Sequence, residues 1–282
     1  MKAFVIAATL TLLPATCFAE ELETTHLFGF TLGSDVNNVG EKEAESESTA
    51  RFGKGAGSYT AASQQLSVKF IPFDNFSIEP GVGAAYHDIS GVPSFDDLHQ
   101  TEFDTLSLEM RYRVLNHERA PFGLTLGADP HWGRVDDLTG ESVDRFGTDF
   151  WIIADKELVP DRIFAAANLF YQPEALRSRL TGFWEQQSQL GTSAAMAVQV
   201  HPGILIGAEA RYMRSYASLG VDAFVGNALF VGPTFYARFS ERAWISAAWN
   251  AQLAGRAVNA PGSLDLVNYE RYQAKLRFGY NF

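Results

Sequence analysis

The last twelve residues of the chain, 271–282, alternate between two kinds of side chain. One parity is apolar and mostly aromatic and the other is polar and basic: Phe282, Tyr280, Phe278, Leu276, Ala274 and Tyr272 against Asn281, Gly279, Arg277, Lys275, Gln273 and Arg271. Because successive side chains of a β-strand point to opposite faces, this segment predicts a strand with one apolar and one charged face. A soluble sandwich turns its apolar face into a core, whereas a transmembrane barrel turns it to lipid and lines a lumen with polar residues. The aromatic face and the basic face together favour the barrel.

The same parity test finds further strands along the whole chain. Counting the terminal strand, it predicts twelve: 25–34, 58–71, 75–88, 101–115, 121–132, 143–157, 161–173, 184–200, 203–214, 226–239, 243–254 and 267–282. Each is about as long as a tilted strand must be to cross a bilayer. The sequence therefore predicts an all-β chain that forms one up-and-down antiparallel transmembrane barrel of about twelve strands.

The predicted connections fall into two length classes that take turns along the chain. The short ones are built from turn-forming residues, as in Pro72–Asn75, Val159–Pro160 and His201–Pro202. The long ones include 34–57, 89–100 and 255–266. Short periplasmic turns and long outer loops are typical of outer-membrane barrels, so we expect both termini in the periplasm.

Residues 1–19 have the parts of a secretory signal peptide. Lys2 precedes a short apolar run, and small residues lead to a predicted cleavage after Ala19. A lipoprotein signal acylated at Cys17 is the alternative, but Pro14 stands where an aliphatic residue is expected. We therefore predict a signal peptide over 1–19 and a single barrel domain over 20–282. No apolar run after residue 19 is long enough to predict a membrane-spanning helix.

A chain that ends in Phe282 after Tyr280, Phe278 and Leu276 resembles the terminal strand of bacterial outer-membrane β-barrel proteins. This resemblance implies a place in the outer membrane of a Gram-negative cell, in contact with its lipids and lipopolysaccharide. In that family the barrel-assembly machinery recognises the ending, which assigns Phe282, Tyr280 and Phe278 as an assembly signal. No residue marks a particular family within this class.

The composition excludes several other classes. The net charge of −11 disfavours a nucleic-acid partner, because an acidic surface repels phosphates, and the single cysteine excludes a disulfide scaffold. Part of the acidic charge lies in residues 37–51, at Glu41, Glu43, Glu45 and Glu47. We predict that this segment is a mobile acidic loop outside the membrane.

The inward parity of the predicted strands defines a candidate lumen lining. It contains both signs of charge, in Lys69, Glu79, Glu109, Arg111, Arg113, Asp129, Asp149, Asp155, Glu209, Arg211, Arg238, Lys275 and Arg277. Glu79 could pair with Arg111 or Arg113 on the next strand, which would stabilise a closed interior. The alternative is a selective pore lining for small polar solutes.

Catalytic patterns of known barrel enzymes are incomplete in this sequence. Barrel lipases and lipid A deacylases place a histidine and a serine two residues apart, and none of the six histidines has that neighbour. Omptin-like proteases use acidic pairs and an Asp-x-His pair at the rim, for which Asp129-Pro130-His131, Glu102 and Asp104 offer a partial match. The parity of Glu102 and Asp104 points toward lipid, and Pro130 within the Asp-x-His pair is foreign to that family.

Cofactor and metal motifs are also lacking in the sequence. Gly53–Gly57 has no Gly-Lys-Ser/Thr ending and predicts a flexible loop, and acidic loops alone suggest at most weak calcium or magnesium binding. We predict no cofactor and no metal site. The sequence thus predicts a non-enzymatic outer-membrane barrel, acting as a passive channel or a structural surface protein, with a rim-site hydrolase as the alternative.

Overall fold

A computed structural model describes residues 22–117, 119–258 and 260–282. Residues 1–21, which hold the predicted signal peptide, lie outside this description. The described residues form twelve strands: β1 Lys42–Phe52, β2 Ser58–Phe73, β3 Phe76–Ser90, β4 Leu98–Leu115, β5 Gly123–Val135, β6 Ser142–Val159, β7 Ile163–Ser178, β8 Trp184–His201, β9 Ile204–Tyr216, β10 Phe224–Arg238, β11 Ala243–Ala257 and β12 Tyr272–Asn281. Over the same residues, no helix is long and apolar enough to span a membrane.

The strands form one closed antiparallel barrel in chain order. Closure comes from β1 and β12, which pair from Glu43 opposite Asn281 to Phe52 opposite Tyr272. The predicted fold class is therefore confirmed. We call the end at which β1 begins and β12 finishes the proximal end, and the other the distal end.

The two faces of the wall differ as the parity predicts. On β4, Leu106 and Leu108 are exposed on the outside, whereas Arg111 is buried inside. The outer face carries large apolar side chains from all round the barrel, including Leu66, Val82, Leu126, Ile152, Leu169, Ile206, Phe235 and Leu276. An apolar exterior around a charged interior is the arrangement of a barrel that spans a membrane.

The predicted first strand is wrong, although the number of strands is right. Residues 25–34 form no strand, and the first strand is β1, Lys42–Phe52, which lies in the predicted acidic loop. The outward residues of β1, such as Ala44, Ser46 and Ser48, are small and give no apolar stripe. Its glutamates point into the lumen, where cations from β2 and β12 neutralise them.

The first five distal connections are shorter than predicted, because the strands run further into the predicted loops, whereas the last distal connection is slightly longer. The distal connections are 53–57, 91–97, 136–141, 179–183, 217–223 and 258–271, and the proximal ones are 74–75, 116–122, 160–162, 202–203 and 239–242. The first distal loop is thus 53–57 instead of 34–57. The strict alternation of lengths also fails at one place, since proximal 116–122 is as long as distal 91–97.

Candidate functional site

Residues 22–37, which we call the lumen segment, lie inside the proximal half of the barrel. The backbone N–H groups of Phe30 and Thr31 donate to the carboxylate of Glu209 on β9, at 2.9 Å each. The N–H of Leu32 donates to Asn168 Oδ1 on β7 at 2.7 Å, and the Asn168 amide donates back to the Leu32 carbonyl. Polar side chains of the wall thus satisfy the backbone of a segment that has no strand partner.

The remaining contacts of the lumen segment reach other sides of the barrel. Ser34 donates from its N–H and its hydroxyl to Asp155 on β6, at 2.7 and 2.6 Å. Gly29 lies against β11 so closely that a Cβ built on it would be 2.2 Å from Ala248 Cβ. Leu27 and Phe28 are each 1% exposed in an apolar cluster with wall residues. The segment therefore fills the proximal lumen from wall to wall.

A buried charged cluster holds the beginning of the segment. Lys69 Nζ on β2 lies 3.1 Å from both Glu43 Oε2 and His26 Nε2, and the His26 ring stacks on Trp244 at 4.2 Å between centroids. Burial, reinforced by the charge of Lys69, holds the pKa of His26 well below its usual range. The imidazole is therefore neutral and accepts a hydrogen bond from the ammonium group.

His26, Glu43 and Glu45 bring together ligand atoms that a metal ion could use. The Lys69 ammonium already lies against two of these residues, so the cluster has a cation of its own. Neutralising these acids requires no metal. The absence of a metal site stays a prediction.

The surroundings also shift the pKa values of two carboxyl groups of the segment. Burial raises the pKa of Glu23 to about 7, against the opposing charge of Lys69. Burial also raises the pKa of Asp35, which lies 3.6 Å from Arg113 and 3.5 Å from His117. The lumen segment therefore carries three groups whose protonation depends on its position in the barrel.

Beyond the segment, the described residues line a central and a distal cavity of the lumen. The central cavity, of about 290 Å³, has His26, Phe30 and Leu32 of the segment in its wall. The distal cavity, of about 600 Å³, extends to the distal loop residues Asp136 to Leu138. Both cavities border Phe30 and Arg211, so they are neighbours in the lumen, and the lumen segment forms part of the wall of each.

The walls of the central cavity carry ion pairs. Arg111 Nε donates to Glu109 at 2.5 Å, and Glu47 accepts from Arg277 Nε at 2.6 Å and from Lys275 Nζ at 2.7 Å. The hypothesis that Glu79 pairs with Arg111 or Arg113 is not reproduced, because Glu79 accepts from Ser67 and stands opposite Glu109 in the register.

The candidate lumen residues occupy three kinds of place. Those in the wall of the central cavity are Glu79, Glu109, Arg111, Asp129, Asp149, Arg211, Lys275 and Arg277. Those in contact with the lumen segment are Lys69, Arg113, Asp155 and Glu209. Arg238 lies at the proximal end of β10, opposite Trp244. The lumen is thus divided between residues that hold the segment and residues that line open space.

An ionic network around the buried Arg145 lies in the wall of the distal cavity. Arg145 reaches Asp104 at 3.1 Å, Asp137 at 2.6 Å and Glu174 at 3.8 Å. Asp104 points inward, against the prediction, because a bulge between β3 and β4 adds one residue to β4 and reverses the parity beyond it. His131 contacts Glu174 Oε1 through Nε2 and the Asp129 carbonyl through Nδ1. Both ring nitrogens are therefore engaged, and neither is left to activate a water as in an omptin-like site.

The remaining predicted features lie outside the lumen or at its rim. Phe278, Tyr280 and Phe282 are exposed on the outer face, at the proximal end of the chain. Their assembly role stays a prediction. Gly53–Gly57 forms the first distal loop, where the Lys54 ammonium donates to the Tyr269 carbonyl at 2.8 Å and ties this loop to the last one.

Solved structures of bacterial outer-membrane barrels are similar to this one. The COG4313 outer membrane channel from Pseudomonas putida F1 matches with a TM-score of 0.60 at 14% identity, over 88% of this chain and 98% of that one. The NanC porin matches with a TM-score of 0.50 at 7% identity, over 84% and 98%. The β domain of the Bordetella autotransporter BrkA matches with a TM-score of 0.51 at 13% identity, over 87% and 100%.

These similarities establish a fold like that of bacterial outer-membrane β-barrels, as the terminal strand predicted, and the apolar exterior is that of a barrel that spans a membrane. No protein of curated function matches the sequence. Residues 20–282 match the family described as "Family of unknown function (DUF6662)". Since the match spans nearly the whole chain, the protein belongs to this family.

Proposed function

We propose that the protein is a passive channel for small polar solutes, closed in this conformation by its lumen segment. The observation that carries the proposal is the pair of neighbouring polar cavities, central and distal, whose walls both include Phe30 of the segment. Its wall carries charges of both signs, which suits hydrated polar solutes better than apolar ones. Similarity to a channel and a porin supports the same class of function.

Passage through such a channel requires the lumen segment to move. Hydrogen bonds, ion pairs and apolar packing hold it in place, without any strand pairing. If residues 1–19 are removed as the sequence predicts, the segment becomes the free end of the mature chain. It could then leave the lumen without breaking the barrel wall.

A structural surface protein is the second candidate. The dense hydrogen bonding of the segment to Glu209, Asn168 and Asp155 favours it, because a permanently docked segment would leave no path. The alternative of a rim-site hydrolase has less support. Arg145 pairs with Asp104 and Glu174, and both ring nitrogens of His131 are hydrogen-bonded.

Planar-bilayer recording tests the channel proposal. We expect discrete current steps from the refolded chain 20–282, and we expect its selectivity to shift toward cations when Arg111, Arg113 and Arg277 are replaced by Ser. Absence of current from this chain and from a variant without the lumen segment would favour the structural candidate. Hydrolysis of phospholipid, lipid A or peptide by the refolded protein would restore the hydrolase.

We also propose that the exposed aromatic ending directs assembly into the outer membrane, where lipopolysaccharide surrounds the barrel. Removing Phe282, or changing Tyr280 and Phe278 to Ser, should lower the amount in the outer membrane without affecting export. Export and signal removal are read from the mass of the mature chain, which should begin at Glu20. An unchanged outer-membrane level would show that the ending has no such role.

A further inference from the structure

In the wall of the central cavity, some carboxylate oxygens and some guanidinium nitrogens have no hydrogen-bond partner among the described residues. Most of its charges are satisfied within the wall, as in the pairs of Glu47 with Lys275 and Arg277. Arg211 stacks on Phe30, with 3.7 Å between the guanidinium carbon and the ring centroid. Two sets of side chains depart from this pattern, and both lie in the wall of the same cavity.

The first set is an acidic pair. Asp129 on β5 and Asp149 on β6 are direct register partners, so two carboxyl groups lie side by side. Asp129 Oδ1 accepts from the Leu108 N–H at 3.0 Å, and Asp149 Oδ2 accepts from Gln172 at 2.5 Å. Among the residues that the structure describes, no cation forms an ion pair with either of them. Their other two oxygens are free to accept hydrogen bonds.

Aromatic rings flank this acidic pair. Trp151 and Phe170 are register partners on β6 and β7, and both lie in the wall of the central cavity. An ammonium group between carboxylates and aromatic faces gains charge pairing and cation–π attraction together. This side of the cavity therefore has the chemistry that recognises an organic ammonium group.

The second set is a pair of arginines. Arg111 on β4 and Arg277 on β12 are 4% and 6% exposed, and each uses Nε to donate to a glutamate. The forked Nη ends of both guanidinium groups lack hydrogen-bond partners within the described part of the chain, and each leaves its Nη1 buried and unsatisfied. A guanidinium fork matches the two oxygens of a carboxylate. This side of the cavity therefore has the chemistry that recognises a carboxylate.

We propose that the central cavity binds a small zwitterionic solute, with its ammonium group at Asp129 and Asp149 and its carboxylate at Arg111 and Arg277. The volume of about 290 Å³ is at the lower end of small-molecule sites and suits a solute of amino-acid size. The role of this site in transport rests on the channel proposed above. Because Phe30 forms part of its wall, a bound solute would also touch the lumen segment.

Calorimetric titration of the refolded chain 20–282 in detergent at low salt tests this site. The probes are glycine, β-alanine and γ-aminobutyrate, with propionate and propylammonium as single-charge controls of the β-alanine skeleton. We expect at least one zwitterion to bind about tenfold or more tightly than either control, because only a zwitterion engages both charged sides. Equal binding of all probes, or binding of none, would overturn the proposal.

Matched variants locate the two halves of the site. The double change Asp129→Asn and Asp149→Asn should remove the preference for the zwitterion over propionate, while Arg111→Lys keeps the charge and should weaken carboxylate binding through loss of the fork. Glu185→Gln, in the wall of the distal cavity only, should change nothing. Heat-modifiable migration on a gel shows that each variant is folded.

The outcomes separate this proposal from the channel itself. A zwitterion preference that survives the double Asn change would contradict the assigned site. Current without zwitterion binding would overturn the site alone, and binding in a barrel that never conducts would overturn the channel alone.

Discussion

The proximal and distal halves of the lumen have walls of the same construction but different contents. In the proximal half, inward acids such as Glu209 and Asp155 accept hydrogen bonds from backbone N–H groups of the lumen segment. In the distal half, inward acids such as Asp104 and Glu174 face the guanidinium group of Arg145. Wall cations thus neutralise the distal acids and leave a cavity. In the proximal half, the lumen segment takes the place of such cations at Glu209 and Asp155, and it closes the lumen.

The docked state of the lumen segment can be followed with one thiol. Cys17 is the only cysteine of the sequence and lies before the predicted cleavage site. Leu27→Cys in the chain 20–282 would therefore place a unique thiol at a position that is 1% exposed. Its rate of reaction with a polar maleimide reports how often the segment leaves the lumen, and the first three predictions below use this rate.

The largest effect is expected from the main anchor of the segment. Glu209→Gln removes a charged acceptor shared by Phe30, Thr31 and Asn250, which should weaken docking by about 1.5 to 3 kcal/mol. The labelling rate should rise by about tenfold to a hundredfold. Glu185→Gln, the same chemical change in the distal half, is the control. Equal labelling of the two variants would contradict the assigned anchor.

A somewhat smaller effect is expected from a wedge under the segment. Gly29→Val places side-chain atoms where Ala248 already lies, and overpacking of this kind costs about 1 to 3 kcal/mol. The matched control is Gly55→Val in the first distal loop, where a Cβ would meet nothing closer than 3.9 Å. We expect faster labelling only in the first variant. The same rate in both would mean that the segment does not press against β11.

Protonation should act on docking in two opposite directions. The raised pKa of Glu23, about 7, means that the docked state binds this proton more tightly, so docking strengthens as the pH falls from about 7 toward the ordinary value of 4.5. The lowered pKa of His26 means that docking weakens as the pH falls below 6.5. Asp35, with its raised pKa, acts in the same direction as Glu23.

Two variants separate these contributions. In His26→Gln, we expect slower labelling at pH about 5.5 than at about 7.5, after correction for the intrinsic reactivity of the thiol, because only the shifted acids remain. Adding Glu23→Gln should remove most of this difference. If both variants keep the same pH dependence, the groups that control docking lie elsewhere.

The smallest effect is expected at the distal rim. Arg179 and Asp144 form an exposed pair at 3.9 Å, and such pairs contribute about 0 to 1 kcal/mol. Arg179→Gln should leave the unfolding midpoint in detergent nearly unchanged. A fall in this midpoint as large as that caused by Glu209→Gln would mean that the distal rim, like the proximal half, depends on specific charged contacts.

The barrel wall could be predicted from the sequence because the alternation of apolar and polar side chains recurs from strand to strand. In β12, the apolar and basic parities run without interruption to the C-terminus, and the structure keeps Phe278 outside and Arg277 inside. A single β-bulge makes the predicted facing wrong for the residues beyond it. Asp104 was assigned to lipid because a bulge leaves no mark in the parity of a single strand.

The contents of the lumen could not be predicted in the same way. Residues 25–34 are rich in apolar side chains, and burial of the lumen segment on all sides requires the same composition as a lipid-facing strand. The strand β1 was missed because its outward residues are small and its inward ones are acidic. One available signal was the spacing of Glu43, Glu45 and Glu47 at every second position, which matches Lys275 and Arg277 on β12.

We infer that the lumen segment, and not the wall, closes the proximal half of the barrel. Single-channel conductance of the chain 20–282 compared with the chain 38–282 tests it most directly, with heat-modifiable migration to show that both barrels are folded. We expect a several-fold larger conductance for the shorter chain, because its proximal lumen is empty. Equal conductance of the two folded barrels would contradict it.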